Sequence, residues 1–96
     1  MDQSPISGAE KMRLRGLGQK LEATLKLGKE GLTPAFFKEL DRQMSTRELV
    51  KLRFLGADRH ERAALCIEIA TAGKCHLVGA VGHTALFYRP SPPRAE

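Results

Sequence analysis

The chain has no tryptophan, one tyrosine and two cysteines, and none of its apolar runs approaches the roughly 20 residues that cross a bilayer. The last shortage excludes insertion in a membrane as an apolar helix. The first eight residues, Met-Asp-Gln-Ser-Pro-Ile-Ser-Gly, hold neither a basic leader nor an apolar segment, so no secretion signal is read there and a cytoplasmic location is expected. Cys66 and Cys75 lack the CxxC spacing of redox and metal motifs, and in that compartment they are expected to be reduced thiols in the core. With so few aromatic rings, Tyr88 is the one evident platform on which a base could stack, and packing within a strand is the simpler role for it. Internal repeats and low-complexity segments are also missing.

What is present is 96 residues, enough for one domain with a modest core, placed at residues 7–90 between tails at 1–6 and 91–96 expected to be flexible. Sixteen Lys and Arg stand against eleven Asp and Glu, a net charge of +5 with a pI near 9.6. That balance suits a polyanionic partner and equally an ordinary solvated surface.

Ser7 and Glu10 have capping-box spacing ahead of a helix bearing Leu14, Leu17 and Leu21 on one side, which Gly16 and Gly18 are expected to end early. Ala23 to Leu27 alternates as a half-buried strand. Thr33 and Pro34 open a second helix that should bury Phe36, Phe37, Leu40 and Met44. Glu48 to Leu55 alternates again, with Val50, Leu52 and Phe54 inward and Lys51 and Arg53 pointing away. Asp58, with Glu61, caps a third helix whose stripe of Ala63, Cys66, Ile67 and Ala70, widened by Leu65 and Ile69, predicts deep burial until Gly73. Cys75 to Val81 and Thr84 to Arg89 form a hairpin turning at Gly82-His83. The order α-β-α-β-α-β-β defines a small single α/β domain with a four-stranded mixed sheet, right-handed crossovers and an antiparallel final hairpin.

Gly28-Lys29-Glu30-Gly31, between the first strand and second helix, is the stretch most open to two readings. Two glycines admit close approach of a ligand, and a helix N-terminus behind them offers N–H groups and a positive dipole end to phosphate. A strand-to-helix turn needs glycines anyway, and Glu30 opposes an anion. Lys11, Arg13, Arg15 and Lys20 near the first helix, Lys51 and Arg53 on the second strand, and Arg89 on the last can track a nucleic-acid backbone if the fold gathers them, and are surface charges otherwise. His60, His76 and His83 belong to no catalytic spacing. The neighbours Cys75 and His76, with Cys66, make a poor metal site because adjacent strand residues point to opposite faces.

Leu27-Gly28-Lys29-Glu30-Gly31-Leu32-Thr33, Glu48-Leu49-Val50-Lys51-Leu52-Arg53, Val81-Gly82-His83-Thr84 and Phe87-Tyr88-Arg89-Pro90 together resemble the CRM domain, the chloroplast RNA splicing and ribosome maturation domain, whose stand-alone bacterial form is the YhbY type. The resemblance spans about Lys11 to Pro90. It implies a fold similar to the C-terminal domain of bacterial translation initiation factor three, with the G-x-x-G loop used for RNA much as in KH domains. Gly28, Lys29, Glu30 and Gly31 then become the RNA loop, with Lys51 and Arg53 beside it. Stand-alone members are associated with the large-subunit precursor of the ribosome, so the implied role is that of a monomeric, non-catalytic assembly factor contacting ribosomal RNA, without a cofactor. Three departures from the family pattern stand out: acidic Glu30 in the loop, His83 where lysine is common, and Phe87 in place of an aliphatic residue. The alternative reading is an adaptor docking its basic face on an acidic ribosomal or translation-factor surface. A hydrolase using His60 or His83 is the third.

Overall fold

Each helix begins where a side chain satisfies a backbone N–H that the helix itself leaves unpaired. Ser7 Oγ accepts from the Glu10 N–H at 3.1 Å, Thr33 Oγ1 from the Phe36 N–H at 3.1 Å, and Asp58 Oδ1 from the Glu61 N–H at 2.8 Å while Glu61 reaches back to the Asp58 N–H at 2.9 Å. The computed structural model describes residues 7–89, in the order α1 (Gly8–Gly18), β1 (Leu25–Leu27), α2 (Pro34–Met44), β2 (Leu49–Phe54), α3 (Arg59–Ala72), β3 (His76–Val81) and β4 (Thr84–Tyr88). The tails expected to be flexible lie outside the described residues.

The four strands form one mixed sheet in the order β1-β2-β4-β3. β1 runs parallel to β2, whereas β4 is antiparallel to both neighbours, so the final hairpin places β4, not β3, beside β2. Strand alternation sorts the side chains into two cores. On one face Leu25, Leu27, Val50, Leu52, Phe54, Ala85 and Phe87 meet Phe36, Leu40 and Met44 of α2 and Cys66 and Ile69 of α3. Full burial of each large apolar side chain there contributes about 1.5–3 kcal/mol. On the other face a smaller cluster of Leu14, Val78 and Leu86 seats α1, flanked by Leu49 and Tyr88.

Several expectations fail in instructive ways. α1 runs through Gly16 and ends before Leu21; Leu14 is buried, while Leu17 in the helix and Leu21 beyond it are 45% and 37% exposed. One helix on a flat sheet can press only a narrow stripe against it. α1 does end at Gly18, which is also buried: a Cβ there would lie 2.4 Å from Leu86 Cδ2, so the close approach to the sheet needs glycine. α3 is half-exposed rather than deeply buried: Ile67 is 65% exposed and Ala63 also faces outward, while the inward stripe runs through Leu65, Cys66, Ile69 and Ala70. Phe37 is half-buried, meeting Phe36 edge-to-face with centroids 5.3 Å apart. After α3 the left-handed residue is Lys74 (φ 55°), not Gly73; glycine is needed at 73 because a Cβ there would stand 2.7 Å from the Ile69 carbonyl and from Leu40 Cδ2. Buried Gln43 joins α2 to the approach of β1, donating to the Thr24 carbonyl at 2.9 Å and accepting from Thr24 Oγ1 at 2.6 Å.

Candidate nucleic-acid interface

The pairing register places three connections at one edge of the sheet. Leu27 pairs with Phe54, Arg53 with Thr84, and Thr84 with Val81, so β1, β2 and β3 all end at that edge and β4 begins there. The GKEG turn, the Leu55–Asp58 connection and the Gly82-His83 hairpin turn therefore lie side by side, with the starts of α2 and α3 behind them. The carboxyl ends of strands in open α/β sheets are a usual place for ligands, because helix starts and loops converge there.

The GKEG turn is closed by the Gly31 N–H donating to the Gly28 carbonyl at 3.2 Å, and Gly31 has φ +75°, which requires glycine or strain. A Cβ on either glycine would meet no heavy atom within 4 Å, so packing does not demand them. Lys29 and Glu30 project from the tip, both exposed. The helix end behind the loop is less available than its sequence implies. Pro34 has no N–H, Phe36 donates to Thr33 Oγ1 and Phe37 to the Thr33 carbonyl, so within this first turn the Ala35 N–H is the donor left for a ligand.

Beside the loop, the sheet face that α1 leaves uncovered carries a transverse row of Lys26, Arg53, Thr84 and Val81, one residue from each strand. Lys26 and Arg53 are exposed, and neighbouring strands hold them about 5 Å apart at the backbone. Behind this row a groove of about 440 Å³ separates α1 from β3 and β4, lined among others by Arg15, Gln19, Lys51 and Thr84. Arg15 Nε donates to the Val78 carbonyl at 3.2 Å, which places its guanidinium over the β3 bulge at Leu77–Gly79. Around the hairpin turn, Arg62 donates to the Ala57 carbonyl at 2.8 Å and lies 3.3 Å from His83 Nδ1; since a guanidinium can only donate, that nitrogen accepts. Arg59 and Arg62 border a cavity of about 310 Å³ there, together with Cys66.

The predicted cations divide. Lys29, Arg53 and Arg15 gather toward the loop edge, and Lys11 shares the Arg15 side of α1 by i, i+4 spacing. Arg13 and Lys20 lie on the other flank of α1, where Arg13 pairs with Glu10 at 2.6 Å. Lys51, expected to point freely away, is half-buried, and its Nζ donates to the Gly18 and Leu21 carbonyls, each at 3.3 Å, holding the C-terminal end of α1. Arg89 sits at the opposite end of β4, where it pairs with Asp41 at 2.9 Å and donates to the Gly73 carbonyl, tying α2 to the end of α3. Lys26, Arg59 and Arg62 were not among the predicted contacts. Lys26 was legible as the polar position of a strand, but only pairing with β2 shows that it stands beside Arg53. Asp58, two residues before His60, spends its carboxylate on the α3 cap. Among the described residues no three His, Cys, Asp or Glu side chains are grouped to hold a metal ion.

A small α/β domain with one basic, loop-lined sheet edge is the class that this geometry defines. The chain belongs to the CRS1 / YhbY (CRM) domain family, whose model matches residues 6–89. It is 32% identical over 91% of its length to the Pseudomonas aeruginosa protein named probable RNA-binding protein PA4753, covering 84% of that protein. It is 33% identical over 90% of its length to a Haemophilus influenzae protein named RNA-binding protein, covering 87% of it. The solution structure of the hypothetical protein SAV1595 from Staphylococcus aureus superposes with a TM-score of 0.81 at 26% identity, with 91% of each chain covered.

Proposed function

We propose that this protein binds RNA through the loop edge of its sheet, and that it acts without catalysis, as a cytoplasmic monomer, on ribosomal RNA of the large-subunit precursor. The observation that carries the reading is the convergence of Lys26, Lys29 and Arg53 beside a glycine turn whose backbone a phosphate can approach. The names of the relatives support RNA over other polyanions. Phosphates lie against the Lys29–Gly31 backbone, where Gly28 and Gly31 keep side chains out of the way, and the Lys26 and Arg53 side chains take the neighbouring phosphates. Arg15 and Arg59 flank this path. Glu30 is exposed at the tip. With few rings at this edge, recognition rests on backbone shape more than on base identity.

The test is binding of the purified chain to a large-subunit ribosomal RNA fragment across a salt series, beside Lys29→Ala/Arg53→Ala. The native protein is expected to lose affinity steeply with salt, and the variant's slope to be shallower by about 0.7–0.9 for each phosphate contact removed. An unchanged slope in the variant would move the contact away from this edge. If the native chain bound no RNA at low salt but bound an acidic ribosomal protein, the adaptor reading would replace this one.

A further inference from the structure

The other flank of α1, at the far end of the sheet from the GKEG turn, holds a second groove, of about 580 Å³, that the loop edge does not use. Its walls are Leu17 and Leu21 on the α1 side and Leu49 and Tyr88 on the sheet. Leu17 and Leu21 remain 45% and 37% exposed although α1 is seated on the sheet beside them. Single exposed leucines mean little, but these two and a half-buried tyrosine ring line one concavity. Its rim carries Arg13, Lys20 and Arg47 against Glu48, with Glu10 close by beside Arg13. Lys20 and Arg47 are held in no ion pair among the described residues, and the Arg13–Glu10 pair is an exposed one that an incoming phosphate can replace at little cost. His76 is the cross-strand neighbour of Tyr88, with ring centroids 6.3 Å apart and planes tilted by 31°.

We propose that this groove accepts one unpaired nucleotide of the bound RNA: its base lies against the Tyr88 ring and the Leu17 and Leu21 side chains, and its phosphates meet Lys20, Arg47 and Arg13. The proposal rests on the RNA reading above and adds a second contact to it. An apolar floor with a cationic rim fits a nucleotide, which has one flat apolar face and one anionic edge, better than it fits an acidic peptide, which brings charge without a plane to stack. From Leu49 to Phe54, β2 separates the two sites by about 17 Å, so one phosphate cannot serve both and an RNA that fills them must run along the uncovered flank of the domain.

Tyr88 is the only tyrosine in a chain without tryptophan, so its emission reports on this groove alone. The full-length protein is titrated with an RNA duplex that is either blunt or carries a short single-stranded overhang, with emission corrected for RNA absorbance. The overhang is expected to raise affinity about tenfold and to quench Tyr88, and Leu17→Ser/Lys20→Ala/Arg47→Ala, all at exposed positions, is expected to erase that preference while blunt-duplex binding persists. Equal binding of both duplexes with unquenched Tyr88 overturns the nucleotide site and leaves the loop-edge reading standing. Failure to bind either duplex at low salt removes the RNA reading and this site with it. Quenching of Tyr88 by a polyglutamate peptide but not by the overhang assigns the groove to an acidic protein segment and overturns the proposal.

Discussion

At the scale of single residues, the two loop glycines separate folding from binding. Gly28 has no positive φ, and a Cβ there enters open space, so Gly28→Ala should leave stability unchanged or raise it by up to about 1 kcal/mol through a stiffer unfolded chain. The same substitution should weaken RNA binding several-fold, because the methyl stands where a phosphate would approach. Thermal unfolding and RNA titration on one preparation check both halves. Gly31→Ala instead forces a side chain into the left-handed region and should cost about 1–2 kcal/mol of stability. Cys75 gives a pH-dependent counterpart in the core. Burial pushes its thiol up to about 11, with the nearby Arg89 acting in the opposite sense. In the unfolded chain the thiol ionises near its ordinary value, so between about pH 9 and pH 11 the unfolded state has lost a proton that the native state keeps. Stability should therefore fall across that window, and Cys75→Ala should flatten the fall in denaturant titrations run at several pH values.

At the scale of elements, α1 is held by the smaller of the two cores. It reaches the sheet through Leu14 and the close approach of Gly18, with Lys51 donating to the Gly18 and Leu21 carbonyls and Arg15 to that of Val78. Lys51→Met keeps much of the apolar stem and removes the charge-assisted bonds. It should cost about 1–2 kcal/mol and speed amide exchange in α1 ahead of α2 and α3. An RNA-contact role for Lys51 would show instead as a shallower salt slope with exchange in α1 unchanged. Gly18→Ala tests the packing half of the attachment, since the added methyl must displace Leu86 or lift the helix, at about 1–3 kcal/mol. Arg89 serves the other side of the sheet. Its side chain is largely buried between Asp41 and the Gly73 carbonyl, so Arg89→Ala should lower stability by about 1–3 kcal/mol while leaving the salt slope of RNA binding where it was.

At the scale of the whole molecule, the sheet has one face committed to folding and one left for contact. α2 and α3 cover most of the first, leaving Ala80 and the cavity beside Arg59 and Arg62 open at its β3 end. α1, about 16 Å long, covers only a band of the second, leaving the loop-edge row on one side of it and the Tyr88 groove on the other. If both are used by one RNA, their electrostatic contributions are independent, because the sites share no residue and lie far apart on the scale over which mutational effects couple. Lys29→Ala/Arg53→Ala and Lys20→Ala/Arg47→Ala should each make the salt dependence shallower, and the fourfold variant should show the sum of the two changes. A fourfold variant no shallower than the loop-edge pair alone would mean that only one edge touches RNA.

How much of this was legible beforehand depends on the range of the interactions involved. The caps at Ser7, Thr33 and Asp58, the alternation of Val50, Leu52 and Phe54, the hairpin at Gly82-His83 and the GKEG turn are local patterns, and residues a few positions apart specify them. The order of elements and the α/β class follow from those patterns, as does the net positive charge. Which cations share a surface does not, because it depends on strand order and register, set by packing between segments remote in sequence. Lys26 joins Arg53 only because β1 pairs with β2, and Lys51 leaves the surface only because α1 ends above it. The exposure of Leu17, Leu21 and Ile67 belongs to the same class: helical spacing marks an apolar stripe, but the width of stripe that is buried is decided by how many neighbours the helix has. Local spacing specifies the elements and composition the net charge; which charges face a partner is settled by strand order and register, through contacts the local chain cannot sense.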